Sequence, residues 1–425
     1  MRRERQIAGA IFAGALLVRL GLFAVLSDET LAAITKRVEL STPLTDYRRL
    51  KEGVFLYQHG IPPYDGGVNH QAPLLLAIFA LVNSISSALD PLIFALVDVA
   101  CGYWLWKIAH LKPKLDKVLS GKQQQNSLRV AVGVPALAAA LYLFNPYLVL
   151  SCLARSTLSF SHLFVLSSVA LAMQGHAIAS MGALAGATYL SFYPVTLLPA
   201  VLLLVHTTRS STVSTLLRSR RAQWHTGVFF VWLALLLIAS RAFLGSWDFV
   251  EATYGVILTV PDLTPNVGLF WYYFMEMFDH FRSLFLVVFQ MNALLYALPV
   301  TYRFQRFPLF SVFVLCGIMS AFKSYPSWGD TVLHLAFLPL FTELFQYLRY
   351  SYVIALVYAF SSALAVVFYH VWINLGTGNA NFFFAITLVH ALGQIMLIVD
   401  TTYAMLRREF VLQHPQHRHC KVVQM

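Results

Sequence analysis

Long apolar runs separated by short polar connections dominate the chain. The first, residues 7–26, is broken only by Arg19. It matches the ~20 apolar residues that a helix needs to cross a bilayer and exceeds a secretory h-region, so it reads as a retained anchor. Similar runs predict spans near residues 90–108, 130–150, 157–173, 178–190, 194–205, 227–244, 283–300, 309–322, 331–345, 352–371 and 384–405. The expectation is an all-α polytopic membrane protein with about 12 transmembrane helices in one domain covering residues 1–425. The two short runs around Ser191–Pro194 could also form one broken helix. Arg19 inside the first span must pair within the bundle or reach a lipid phosphate.

Two polar stretches interrupt this pattern. Residues 27–89 combine amphipathic pieces (LAAITKRVEL, YRRLKEGVFLY), the turn-rich HGIPPYDGGVNH and a short apolar segment at 72–89 that reads as re-entrant or interfacial. Residues 245–282 enclose the second. Between Ser246 and Phe281 lie five carboxylates and eleven rings counting His280, with two prolines and two glycines. Its acids stand among rings rather than lysines, which suits a membrane surface or stacking on sugars. PDLTPN (261–266) supplies a rigid turn, because both prolines fix φ while Asp and Asn side chains bond to the backbone.

Composition and charge sharpen the class. The chain is 58% hydrophobic and only 12% charged, far from the balance of a soluble domain. Its net charge of +11 does not point to nucleic acid, because the basic residues sit in short connections that orient helices. With both termini placed in the cytosol, the cytosolic connections hold 20 of the 30 Lys and Arg residues, as the positive-inside rule requires. Residues 406–425 then form a cytosolic tail. Its QHPQHRHC segment has no spacing suited to a closed metal site, and KQQQNS (122–127) reads as a flexible connection. Cys101, Cys152 and Cys316 lie in apolar runs and Cys420 in the tail, so no disulfide framework is expected.

Several ordered motifs carry a family resemblance: SWDF, VPDLTPN, GLFWYYF and EMF in the aromatic loop, LFNPYLVLSCLARST (143–157), YLSFYPVTL (189–197), FKSYPSWGD (322–330), GNANFFFAITL (378–388) and LRREF (406–410). Together they resemble the U subunit of the glycosylphosphatidylinositol (GPI) transamidase over nearly the whole chain. The resemblance implies a GT-C-like helical architecture and a non-catalytic subunit in the endoplasmic reticulum membrane, with no cofactor and no metal. It implies as partners the GPI lipid, a caspase-like catalytic subunit (PIG-K), PIG-T, PIG-S, a GAA-type subunit and membrane lipids.

The first polar loop is also similar to that of GPI mannosyltransferases that use polyprenyl-phosphate sugars. Asp46 in PLTDY stands alone where those enzymes place a paired acidic motif, and one carboxylate is a poor metal cage. A mannosyltransferase and a lipid transporter or scramblase are therefore the competing readings. A peptide-attacking cysteine would need a nearby His base, and no Cys falls on the non-cytosolic side.

A GPI headgroup carries sugars, phosphates and ammonium groups, which ask for amides and rings, cationic donors, and carboxylates respectively. The residues that fit are Asp248, Asp262, Trp271, Arg282 and Lys323 on the non-cytosolic side, with Asn379 and Asn381 in GNANFFF just before the last span. Those two Asn residues suit either headgroup contact or helix capping. Gln305, between Arg303 and Arg306, is the candidate at the opposite helix ends, where anionic lipid is the expected ligand.

Overall fold

In the computed structural model, residues 2–120, 133–207 and 212–417 are described, and among them the secondary structure is helical with no strand. The KQQQNS segment and the end of the tail lie outside these residues. The chain divides into two compact units, Met1–Leu340 and Phe341–Met425.

The first unit opens with α1 (Arg2–Val25), α2 (Asp28–Thr35), α3 (Tyr47–Gln58), α4 (Pro73–Ile85) and α5 (Asp90–Ser120). A buried group follows: α6 (Val134–Leu143), α7 (Pro146–Leu153), α8 (Leu158–Met173), α9 (Ala177–Ser191) and α10 (Leu198–His206). Then come α11 (Val213–Arg218), α12 (Arg220–Leu244), the short α13 (Asp248–Val250) and α14 (Val256–Thr259), α15 (Phe270–Glu276), α16 (Asp279–Leu294), α17 (Ala297–Arg303), α18 (Pro308–Phe322) and α19 (Trp328–Phe337).

By length and composition, six helical stretches can cross a membrane: Glu4–Val25, Ser87–Leu119, Arg220–Leu244, Asp279–Arg303, Ser351–Asn374 and Ala380–Gln413. A seventh arises if α6 and α7, bent by 46°, form one span. The bend has a local cause. Asn145 caps α7 by accepting the Tyr147 N–H and Pro146 occupies its first turn, so the predicted run at 130–150 restarts partway. At the predicted break near 191–194, Phe192 adopts φ 61° ahead of Pro194 and separates α9 from the next helix. Several other predicted runs fold as shorter helices, including α8, α9 and α18. At 1.5 Å per residue the 15-residue α18 is about 23 Å long, short of the ~30 Å hydrocarbon core. It is almost wholly buried, which explains an apolar run without helical periodicity. The segment at 72–89 forms the 13-residue α4, also too short to cross.

Arg19 joins α1 to α5 inside the apolar core. Its Nε donates to Asp98 at 2.9 Å, Ser159 of α8 donates to the other carboxylate oxygen at 2.5 Å, and both charged residues are fully buried. Of the two alternatives for Arg19, the internal pair is the one observed. Nearby, Tyr47 and Leu50 of α3 and Phe79 of α4 cluster with Phe94 of α5 and Phe160 of α8, with Leu16 and Leu20 of α1 packed alongside. The Tyr47 and Phe94 rings meet edge-on at 5.4 Å. The first polar loop is thus anchored to the helical core rather than free at the surface.

The second unit contains α20 (Ser351–Tyr369) and α21 (Ala380–Gln413), packed as a helical hairpin. Asp400 of α21 accepts the backbone N–H groups of Arg349 and Tyr350, satisfying orphan donors at the start of α20. Gly393 lets the two helices approach, since a Cβ there would sit 2.9 Å from Val357.

Replacing Arg19 by Leu should destabilise the protein by about 3–5 kcal/mol, because it strands a buried carboxylate, while Arg19→Leu with Asp98→Leu should recover much of the loss. Thermal unfolding in detergent measures both variants. Equal loss in the single and double variants would show that the pair does not couple α1 to α5.

Candidate functional site

The first polar loop is fixed by a chain of hydrogen bonds to the α7–α8 turn. Asp46 caps α3, accepting the Arg48 N–H at 2.8 Å, and its carboxylate also pairs with the Arg48 guanidinium at 2.6 Å. Its carbonyl accepts from Gln71 Nε2, whose Oε1 in turn accepts from Thr157. Thr157 N–H donates back to Thr45. Arg155, in the same turn, has φ 54° and places its guanidinium over the rings of Phe23 and Tyr47. Beneath this network is a cavity of about 30 Å³ lined by Gln71, Thr157, Tyr193 and Lys323 among others. That is room for water and not for a sugar. Lys323 is held there by an ion pair with Asp330 at 2.6 Å.

Asp262 ties the aromatic loop to the first loop. One carboxylate oxygen accepts the Thr264 N–H and hydroxyl, and the other accepts from Arg49 at 2.7 Å. Its carbonyl accepts the Tyr325 hydroxyl at 2.8 Å. Burial alone would raise the Asp262 carboxyl, but the Thr264 hydrogen bonds and Arg49 outweigh it and hold the group below its ordinary value. His70 lies 4.0 Å from the same carboxylate and bonds to the Ala252 carbonyl. Close packing backs this junction, because a Cβ at Gly53 would sit 2.5 Å from the Asn69 amide.

A second latch lies next to it. Val260 has φ 50°, a strained conformation for a β-branched residue, and is fully buried. Arg282 reaches back to accept this geometry, donating to the Val260 carbonyl at 2.7 Å and to Thr259 at 3.3 Å, with Phe274 under its guanidinium. Trp271 is fully buried beside Phe270 and Phe274. Asp262, Trp271, Arg282 and Lys323 therefore build the loop face from within.

Asp248 is different. It is exposed at the start of α13 and helps to line an open cleft of about 320 Å³. The opposite wall is the HGIPPYDGG turn, which contributes Pro62, Tyr64 and Asp65, together with Tyr57 at the end of α3. Tyr64 is anchored by donating to the Gln71 carbonyl at 2.6 Å. Among the described residues neither Asp65 nor Asp248 has an ion pair, so two carboxylates face solvent within a ring-lined cleft. Trp247, at its edge, is 43% exposed and lies under the Arg241 guanidinium. Gly245 ends α12 with φ 80° and turns the chain into this wall. Sequence reasoning singled out Asp248 but not Asp65, Tyr57 or Tyr64. The available signal was the carboxylate in PPYDGG, a turn that presents its side chains outward.

Asn379 and Asn381 belong to the second unit. Asn379 caps α21, its Oδ1 accepting the Asn381 N–H at 3.1 Å, and both side chains are exposed after the Gly376 turn. The cap uses only the side-chain oxygen of Asn379. Gln305 accepts the Val213 N–H at 2.9 Å. It lies at the other end of α18 from Lys323, about 23 Å away by helix rise, and is not brought to the cleft.

These features define a polytopic helical membrane protein with a loop face that is internally braced and carries one open acidic cleft. The chain belongs to the family described as GPI transamidase subunit PIG-U, whose match covers residues 13–390. It is 37% identical over 414 residues to the mouse "GPI-anchor transamidase component PIGU" and 36% identical over 413 residues to the human protein of that name, with 94% of each chain covered. It is 36% identical over 381 residues to the Saccharomyces cerevisiae "GPI transamidase component GAB1", with 89% of each chain covered.

The Asp262 junction predicts a pH dependence. Burial pushes the His70 ring below its ordinary value of 6.5; the Ala252 carbonyl opposes this, Arg49 adds to it, and Asp262 opposes it. The folded state therefore binds fewer protons than the unfolded chain, and this stability is present above about 6.5 and lost as pH falls towards the folded value. Melting temperature in detergent should fall between about pH 7.5 and 5.5 more steeply for the natural protein than for His70→Gln. Identical slopes would remove His70 from the junction's proton balance.

Proposed function

We propose that this chain is a non-catalytic subunit of the GPI transamidase complex of the endoplasmic reticulum, binding the GPI lipid anchor and presenting it for attachment to the C-terminus of precursor proteins. The observation that carries the reading is similarity along nearly the full chain to proteins named as transamidase components. Catalytic cysteine chemistry then belongs to a caspase-like partner, PIG-K, with PIG-T, PIG-S and a GAA-type subunit as further partners. The burial of Cys101, Cys152 and Cys316 supports that division of labour. The proposed architecture is a single GT-C-like transmembrane domain of about 12 membrane-embedded helices, the short buried ones included without each crossing the bilayer alone, with both termini cytosolic.

In this reading the cleft at Asp65 and Asp248 takes an ammonium-bearing, sugar-rich part of the headgroup, where carboxylates and ring faces attract the cation and rings stack on sugars. The exposed amides of Asn379 and Asn381 supply hydrogen bonds to hydroxyl or phosphate groups. Asp262, Trp271, Arg282 and Lys323 act by holding the loops that carry the cleft. Co-purification of the named subunits in mild detergent tests the assignment, since recovery of the chain alone would favour the mannosyltransferase or transporter readings.

Asp46→Asn should leave GPI attachment nearly unchanged, because Asn keeps the α3 cap and loses only the local pair with Arg48, whose own side chain is exposed. Attachment falling to the level of a null allele, with the complex still assembled, would bring the mannosyltransferase reading forward.

Asn379→Leu with Asn381→Leu should block attachment and accumulate GPI precursor in cells whose complex assembles normally, at about 1–3 kcal/mol for each headgroup group left unpaired. Asn379→Ser retains a capping oxygen but lacks the amide donor. It should therefore reproduce part of the defect at normal protein level. Normal attachment in the double variant would take these residues out of the site.

A further inference from the structure

A second cavity in the first unit lies away from the acidic cleft. It measures about 460 Å³ and sits between the second half of α5, the α8–α9 turn, the end of α10 and the start of α12. Its polar lining is cationic or neutral: Lys114, Arg221, His206 and His225, with Gln174 and Thr207 and no carboxylate. Among the described residues neither Lys114 nor Arg221 has an ion pair or a hydrogen bond. Neighbouring charge is handled differently, since Lys112, two residues before Lys114, is neutralised by Asp116 at 3.0 Å. His225 Nδ1 and His206 Nε2 are 3.2 Å apart, so one imidazole donates to the other. Leu115, Val118 and Met173 give the cavity apolar walls.

Helix α12 relates the two sites. Arg221 and His225 stand in its first turns, whereas Leu244 at its other end lines the acidic cleft. At 1.5 Å per residue the 23 positions from Arg221 to Leu244 span about 35 Å, a membrane thickness. The cationic cavity thus opens at the opposite membrane face, which is the basic one along the sequence.

We propose that this cavity binds the phosphate-bearing headgroup of an anionic phospholipid, an inositol phospholipid being the class that fits. Two unpaired cations with no internal counter-charge call for a ligand of more than one negative charge. The volume exceeds what a bare phosphate needs and accommodates a ring with its phosphates. Apolar walls beside the charges suit a molecule whose acyl chains remain among the helices rather than a soluble anion. Lys114 and Arg221 contact the phosphates, with His225 lining the same cavity.

The test uses the full chain purified in neutral detergent and three probes: a short-chain phosphatidylinositol phosphate, short-chain phosphatidylcholine, and the matching soluble inositol bisphosphate. Expected is saturable binding of the first, no saturable binding of the second and at least tenfold weaker binding of the third. Lys114→Gln and Arg221→Gln should each weaken binding about tenfold, the equivalent of ~1.4 kcal/mol. Lys117→Gln, exposed on the same helix outside the cavity, should not. Lys114 is exposed, so its variant separates loss of binding from loss of folding, and a melting curve on each variant checks this. Equal affinity in Lys114→Gln, equal affinity for phosphatidylcholine, or equally tight binding of the soluble bisphosphate would each overturn a phospholipid site.

Discussion

The carboxylate of Asp262 is the interaction on which the loop face depends. Two segments distant in sequence, around Arg49 and Thr264, converge on it, while its carbonyl fixes Tyr325 from a third. A half-buried ion pair of this kind brings little net stability, since partial desolvation offsets much of the attraction. What it brings is register. With every oxygen of Asp262 occupied, the PDLTPN turn has one position relative to the first loop, and the cleft wall at Ser246–Asp248 follows from it. Arg282 does the same for strained Val260, whose φ of 50° needs outside support.

The same principle operates at depth. Within hydrocarbon a lone Arg is costly, so Arg19 is matched by Asp98 and Ser159 between three helices. The short helices around it explain how a chain with so many apolar runs has six or seven helical stretches among the described residues that meet the length of a crossing. Asn145 and Pro146 break one run, and Phe192 and Pro194 another. Helices such as α18 are covered by protein on all sides, so their length is set by their neighbours and not by the bilayer.

Much of this was legible from the residues. Apolar run length located the helices because hydrophobic burial is a property of each segment alone. PDLTPN forms a braced turn, with Asp262 accepting the Thr264 N–H. The partners of individual charges were not legible. Arg49 and Asp262 are 213 residues apart, and Lys323 meets Asp330 across a turn that a sequence does not draw. Four residues that looked suited to a headgroup are therefore engaged inside the protein. Asp65, which looked like an ordinary turn residue, is free. The Asn379–Asn381 pair could be read either as a cap or as a contact, and its geometry accommodates both.

Charge neutralisation thus separates scaffold from surface. On the loop face Glu39 is paired with Arg37, Asp46 with Arg48, Asp262 with Arg49, and Asp330 with Lys323. Each pair lies at a bend or helix start where a loop must be held. Asp65 and Asp248 lack such partners among the described residues although Arg241 is close to Asp248 in sequence; that guanidinium lies over the Trp247 ring instead. A pair of unneutralised carboxylates bordered by Tyr57 and Tyr64 favours a cation over an anion and a flat sugar face over a bulky chain. At the other end of α12 the sign is reversed, with Lys114 and Arg221 unneutralised around an apolar-walled cavity. One helix therefore separates two clefts lined by opposite charge by about the thickness of a bilayer.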